Sequence, residues 1–377
     1  MSNTLTDIIP TLYSSAQTVA REITGFIAAV DTNFDDKSAA VDQTISVPVA
    51  PTQAGADYSP GNVTASGANR TAGKTDVTIT KNRMSTFHLT GEEERALTAG
   101  GNDNATELFQ QSMTQCMRTL VNEVEGDLAD IYKSASRAHG TAGTTPFGSN
   151  IKDALEMRKI LIDNGAPDTD LNLVMNTDAG VNLRALGNLS KANEAGTDRT
   201  LRTGALLDLQ GISLRESAKV VNHTKGGGSD YEIDGSDNDK GDTAIDVDTG
   251  SGTILAGDII TIDGDDNKYV VNTALSSGTL HIGKPGLLED ASDNDDVTVG
   301  NDYAANVALY KGAAVLVARP PAIEPTPIIE TMPVSDQISG LTFLVCRCLQ
   351  DGQITYRVHL AWGHKVIQPE FIALLLG

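Results

Sequence analysis

NATELFQQSMTQCMRTLVNEVEGDLADIYKSASRA, residues Asn104–Ala138, carries the strongest helical signal in the chain. Leu108, Phe109, Met113, Cys116, Met117, Leu120, Val121, Val124, Leu128 and Ile131 recur at steps of three and four and fall in one stripe. Asn104 with Glu107 three residues on imitates a capping box. At 1.5 Å per residue such a helix spans roughly 50 Å. Gly126 is its one weak position, costing about 1 kcal/mol relative to alanine. A rod of this length with one apolar side must lie across other elements, and the flanking sequence supplies them.

Upstream, Thr11–Val30 reads as a first helix, with Val19, Ile23, Phe26 and Ile27 at helical spacing. In QTISVPVAP (Gln43–Pro51), Ile45, Val47 and Val49 alternate as in a short strand. Thr52–Thr75 is small, polar and glycine-rich, with almost nothing to bury; a loop of that length in a compact domain is usually functional. DVTITKNRMSTFHLT (Asp76–Thr90) returns as a strand. Downstream, Ser149–Pro167 reads as a helix stopped by Gly165 and Pro167, Asp170–Leu186 as a strand leading into a helix, and Arg202–Val220 as two strands around Gly211.

From Asn222 the texture changes to turns rich in Gly, Asp, Asn and Ser. Among them lie the short β signals TAIDVDT, DIITIDGDDNKYVV, GTLHIG and DDVTVG. Alternation with Asp-Gly turns about every ten residues predicts a small all-β unit ending near Asp302. After it, NVALYKGAAVLVARPPAIEP and the apolar C-terminal stretch resume the style of the first half. The expected class is therefore α+β with an inserted β domain: a helical arm over 1–42, a core over 43–221 (extended loop 50–78, long helix 104–138), the insertion over 222–302, and a return to the core over 303–377.

The 377 residues carry a net charge of −22. Seventeen Asp and Glu against Lys240, Lys268 and Lys284 put −14 of it between Asp230 and Gly300. That balance repels free nucleic acid and argues against a sequence-reading DNA binder. Apolar runs are too short to span a membrane, and MSNTLTDIIP has no basic region before an apolar core. Cys116, Cys346 and Cys348 form no disulfide framework; the last two are neighbours on one strand face, and a reducing compartment suits them.

Several motifs tempt. GANRTAGKT (Gly67–Thr75) approaches a phosphate loop, but Ala68 stands where the first Gly belongs and a strand, not a helix, follows. The six histidines (His88, His139, His223, His281, His359, His364) show no metal-ligand spacing, and no Gly-x-Ser-x-Gly elbow occurs. The acidic run DGSDNDKGD (Asp234–Asp242) could open a calcium loop. Asp239 replaces the required Gly, however, and Ile245 the closing Glu. GGGSDYEID (Gly226–Asp234) is a single copy of what would need stacked repeats. Neither a catalytic site nor a cofactor is expected; an acidic calcium-dependent adhesion or binding protein is the rival reading.

Five stretches together resemble a known family: VPVAPTQAGAD (Val47–Asp57), LVNEVEGDLADIY (Leu120–Tyr132), DLQGISLRESAKV (Asp208–Val220), GTILAGDIITIDG (Gly252–Gly264) and the closing strands with Trp362–Gly363 and Pro369–Glu370. In that order they resemble the major capsid proteins of tailed double-stranded-DNA bacteriophages, of the Hong Kong 97-type fold. They are most similar to the coat proteins of short-tailed temperate phages with an insertion domain. The resemblance implies a non-enzymatic shell protein that assembles into pentamers and hexamers in the host bacterial cytoplasm and resides in the virion. It also implies scaffolding, portal and optional decoration proteins as partners, and double-stranded DNA enclosed without sequence reading. It makes Asp234, Asp237, Asp239, Lys240 and Asp242 a candidate contact loop between capsomers, and Asp57, Tyr58, Arg70 and Lys74 candidate contacts of the extended loop.

Overall fold

The computed structural model describes residues 24–32, 42–49, 73–92, 95, 103–187, 208–235, 238–322, 328–336, 339–350 and 353–377. The long helix, α2, runs Asp103–Ala129 and continues as a 3-10 turn over Asp130–Ser134. Its stripe is buried from Phe109 through Met113, Met117, Leu120, Val124 and Leu128 to Ile131. The helix is shorter than the periodicity predicts. At Ser136 the chain turns extended: the Ser136 N–H and hydroxyl both donate to Ile372 O (2.9 and 2.7 Å), and Arg137–His139 becomes strand β4. Pairing with distant strands overrides local helix propensity there.

Around α2 lie two sheets. One contains β4 and, in spatial order, β20 (Ile372–Leu376), β15 (Tyr303–Tyr310), β5 (Leu171–Met175), β7 (Ile212–Glu216) and β6 (Asp208–Leu209). Both its faces are covered, so β5 and β20 are buried at every position. Ile372, Leu374 and Leu376 enter the core under α2. Ala373 and Leu375 enter the opposite core, beneath α3 (Lys152–Asp163) and α4 (Thr177–Ala185). Asn176 caps α4, its side chain accepting from the Ala179 N–H at 2.9 Å. Gln210 and Gly211, both at positive φ, make the expected turn between β6 and β7.

The second sheet has the order β16 (Ala314–Arg319), β19 (Gln353–Val366), β18 (Thr342–Gln350) and β17 (Ile328–Ser335), with β3 (Lys81–Leu89) also paired to β19. Phe343, Val345, Tyr356, Val358, Leu360 and Trp362 face α2. Phe87 stacks on Tyr356 at 5.3 Å, and Phe109 of α2 meets the Tyr356 ring edge-on at 5.1 Å. On the polar side of the helix, Asp127 accepts from Trp362 Nε1 (2.8 Å) and Lys81 Nζ (2.6 Å), and Glu123 takes Arg83.

The single strand expected over 76–90 is two. β2 (Gly73–Thr78) pairs with β1 (Thr44–Val49) as a separate hairpin, and the chain breaks at Ile79–Thr80 before β3. Gly363 explains the break: a Cβ there would lie 2.1 Å from Thr78 O, so only glycine lets the hairpin cross β19. Strand β2 also shortens the predicted loop, taking Gly73–Thr75 from it. Of the predicted first helix only the single turn α1 (Phe26–Ala29) falls within the described residues.

Between β8 (Asn222–His223) and β15 lies a closed antiparallel barrel. Its strands are β9 (Tyr231–Ile233), β10 (Ala244–Asp248), β11 (Ile259–Ile262), β12 (Lys268–Ser276), β13 (Thr279–Ile282) and β14 (Asp296–Val299). They run β11–β14–β9–β10–β13–β12, and β12 returns to pair with β11. Ile245, Ile260, Tyr269, Val271, Leu280 and Ile282 fill it. It leaves and rejoins the body side by side, because β8 pairs with β15; β12 also pairs with β4.

Candidate assembly surfaces and the domain junction

Three places stand out as sites of contact or coupling. The first is the base of the hairpin. Val47, Val77 and Ile79 pack on Val315, Val317 and Ala361 of the second sheet. Asp76 accepts from the Ser46 hydroxyl at 2.6 Å, and Lys365 Nζ donates to Asp76 O at 3.0 Å. Lys74 is exposed, 3.8 Å from Asp76 Oδ1. The paired strands are thus seated on the second sheet, with residues 50–72 between them in sequence. Asp57, Tyr58 and Arg70 lie outside the described residues.

The second is the acidic run of the barrel. Asp234 and Asp239 are exposed, as is Lys240, while Asp242 is half-buried; Asp237 lies outside the described residues. The loop is stapled from within. Asp242 Oδ2 accepts from the Asp239 N–H (3.0 Å), Asp290 Oδ1 from the Lys240 N–H (2.8 Å) and Asp293 Oδ1 from the Gly235 N–H (3.0 Å). Asn238 is buried beneath, bridged to Ala291, and accepts from the Asp246 N–H at 3.3 Å. These carboxylates hold turns, as short polar side chains do. Among the described residues no three His, Cys, Asp or Glu side chains converge as metal ligands would.

The third is where the barrel meets the body, and the sequence gives no sign of it. Tyr132, just past α2, hydrogen-bonds through its hydroxyl to His223 Nδ1 at 2.9 Å. His223 Nε2 lies 2.8 Å from Asp258 Oδ1. The fully buried Asp258 also accepts from the N–H groups of Gly226 (3.1 Å) and Leu255 (2.7 Å). A neutral imidazole satisfies every partner: Nε2–H donates to the carboxylate and Nδ1 accepts the phenol proton. The network joins the long helix, the strand leading into the barrel and the barrel itself. Gly257, at φ +99°, must be small, since a Cβ would stand 2.8 Å from the Tyr132 ring. Burial, reinforced by the charges of Asp130 and Asp258, pushes the Tyr132 phenol up to about 12. Burial likewise raises Tyr303, whose hydroxyl donates to Gly257 O.

A second tie is Arg137 on β4. It is buried and donates to Asn164 at the end of α3 (2.9 Å) and to Asn267 of the barrel (3.4 Å). Burial lowers its guanidinium from the ordinary value. Beside it opens a cleft of about 710 Å³ whose lining mixes His139, Lys159 and Lys268 with Asp153 and Glu156. A further buried acid of the body is Glu125 on α2, which accepts from the backbone near α1.

No family model and no curated protein matches the chain. Solved structures do resemble it. One from Mycobacterium phage Che8 is 15% identical with a TM-score of 0.46, covering 93% of this chain and 90% of that one. The capsid structure of cyanophage P-SCSP1u is 10% identical with a TM-score of 0.47, covering 92% and 86%. A virus-like particle from Pyrococcus furiosus is 10% identical with a TM-score of 0.46, covering 98% and 99%.

Proposed function

We propose that this chain is a major capsid protein of a tailed double-stranded-DNA phage, of the Hong Kong 97-type fold, forming an icosahedral head from pentamers and hexamers. The observation that carries the reading is the order of parts along the chain. A strand pair brackets the polar stretch 50–72, a long helix lies across two sheets, and a closed barrel is inserted before the strands that complete both sheets. That is the order the sequence resemblance implies. The reading makes physical sense of residues 50–72, whose composition offers little to bury within one subunit and suits contacts supplied by a neighbour. Contacts repeated by symmetry need be only modest individually when the shell closes on itself.

In this reading the hairpin loop, with Asp57, Tyr58, Arg70 and Lys74, grips an adjacent subunit. The barrel presents Asp234, Asp237, Asp239 and Lys240 to a neighbouring capsomer, while Asp242 keeps the loop in shape. Exposed charge pairs are worth about 0–1 kcal/mol each, so repetition must supply any effect. A scaffolding protein guides closure, a portal occupies one vertex, and packaged DNA is enclosed rather than read, which an acidic subunit favours.

The test is particle size. Expressed with its scaffolding protein, the chain is expected to give closed megadalton shells in electron micrographs and by light scattering. A species that stays monomeric with and without the scaffold overturns the proposal.

A further inference from the structure

Glu125 is an unusual residue for the inner face of a long amphipathic helix. It is only 3% exposed. Its carboxylate faces the backbone of a segment a hundred positions earlier: Oε1 accepts from the N–H groups of Gly25 and Phe26 (both 2.7 Å), and Oε2 from that of Ile27 (3.1 Å). These N–H groups open the single turn α1, where a helix has no internal acceptors to offer. A four-residue turn has no stability of its own, so what fixes it is its surroundings.

The segment is held in the body by its side chains more than by strand pairing. Among the described residues its one ladder contact is a bridge, with Asp31 N–H donating to Ala314 O (3.1 Å) and Leu316 N–H to Asp31 O (2.9 Å). Every strand of both sheets finds its neighbours without it. Phe26, Ile27, Ala29 and Val30 nevertheless drop into the core beneath α2. Gly25 sets the path: a Cβ there would lie 2.7 Å from Glu216 O and 2.9 Å from Val174 Cγ1, so a larger residue would lift the N–H groups away from the carboxylate.

We propose that Glu125 is the clasp of a releasable strap: one buried carboxylate holds residues 24–32 on the long helix, and its loss frees that strap while the sheets stay folded. A carboxylate suits both states. Closed, it is satisfied by three backbone donors; open, it is satisfied by water, whereas an apolar residue in its place would resist exposure. The inference concerns the single subunit and stands or falls apart from the shell reading.

Hydrogen exchange of the intact chain, read by mass spectrometry, tests it. Glu125→Gln keeps the shape but replaces one acceptor oxygen with an amide that opposes the backbone donors. Amides of residues 24–32 are expected to exchange at least about tenfold faster in this variant, with peptides from α3 and β20 unchanged. Unchanged exchange over 24–32, or equal acceleration everywhere, overturns the proposal. Should the variant fail to fold, the wild-type chain decides: the strap is expected to open with little denaturant dependence, below global unfolding. Exchange of 24–32 only through global unfolding overturns it.

Discussion

Forty of the described residues, thirty-eight in the body and two at the foot of the barrel, form one apolar core around the long helix, and Glu125, one of the body's buried acids, binds a segment distant in sequence. In the barrel only fourteen form the core, and most of the bonded carboxylates fix the barrel's own turns, Asp258 at the junction being the exception. Asp242, Asp265, Asp290, Asp293 and Asp295 each accept from a backbone N–H in or beside the barrel's turns. The barrel's −14 is thus partly architecture: where the core is small, turns are fixed by side-chain acceptors instead of by packing above them. Acidity there does not require a ligand to explain it.

The contrast breaks first at its cores. Trp362 is fully buried where β19 meets α2, and Leu280 is fully buried inside the barrel. Trp362→Ala is expected to cost about 3–5 kcal/mol and Leu280→Ala about 2–5 kcal/mol. If the barrel is a unit of its own, calorimetry will show Leu280→Ala lowering one transition while the body's holds. A single transition lowered by both changes would mean that the Tyr132–His223–Asp258 junction welds the two regions into one cooperative unit.

Alkaline pH sharpens the comparison at that junction. A tyrosine ionises near 10 in an unfolded chain, and in the fold Tyr132 is held up to about 12. The folded state therefore favours the neutral phenol. The stability this contributes is complete below about pH 10 and is lost as pH rises through about 12. Burial pushes Tyr303 and Tyr269 higher still, Tyr269 with help from its hydrogen bond to Asp265. In an ultraviolet titration of the native protein these three are expected to remain un-ionised at about pH 11, and then to ionise as the barrel detaches. Tyr132→Phe, which leaves His223 Nδ1 without its donor, should cost about 1–2 kcal/mol at neutral pH. Ionisation of all three near 10 with the fold intact would contradict this picture.

Periodicity was enough to read the stripe of α2, the alternation of β1 and the barrel strands, and the turn at Gly211, because each depends on neighbours within a few residues. It failed at Ala135–Ala138, where a helical pattern yields to pairing with Ile372–Leu375 and Lys268–Tyr269. It failed at Ile79–Thr80, where the cause is a glycine nearly three hundred positions away. The coupling residues were invisible for the same reason. Tyr132 and His223 are 91 positions apart, His223 and Asp258 are 35, and Glu125 and Gly25 are 100. Buried polar groups that meet only in the fold leave no spacing to detect. His223 reads as one of six scattered histidines, and Glu125 as one charge among the alternating acids of NEVEGDL.

The smallest effect separates two kinds of aspartate in the acidic loop. Asp290 accepts from the Lys240 N–H at 2.8 Å, so its charge shapes the turn. Asp239 is exposed, and its backbone, rather than its carboxylate, makes the hydrogen bond to Asp242. Asp290→Asn keeps one acceptor oxygen but loses the charge assistance, and should cost about 0.5–1 kcal/mol in denaturant unfolding. Asp234→Asn with Asp239→Asn should change subunit stability by less than about 0.5 kcal/mol. If the loop meets a neighbouring capsomer, that second pair should nonetheless weaken shell closure, measured as the protein concentration at which particles form, because a small loss is multiplied over every copy. Equal closure with and without the two charges would leave the loop's acidity to its turns alone.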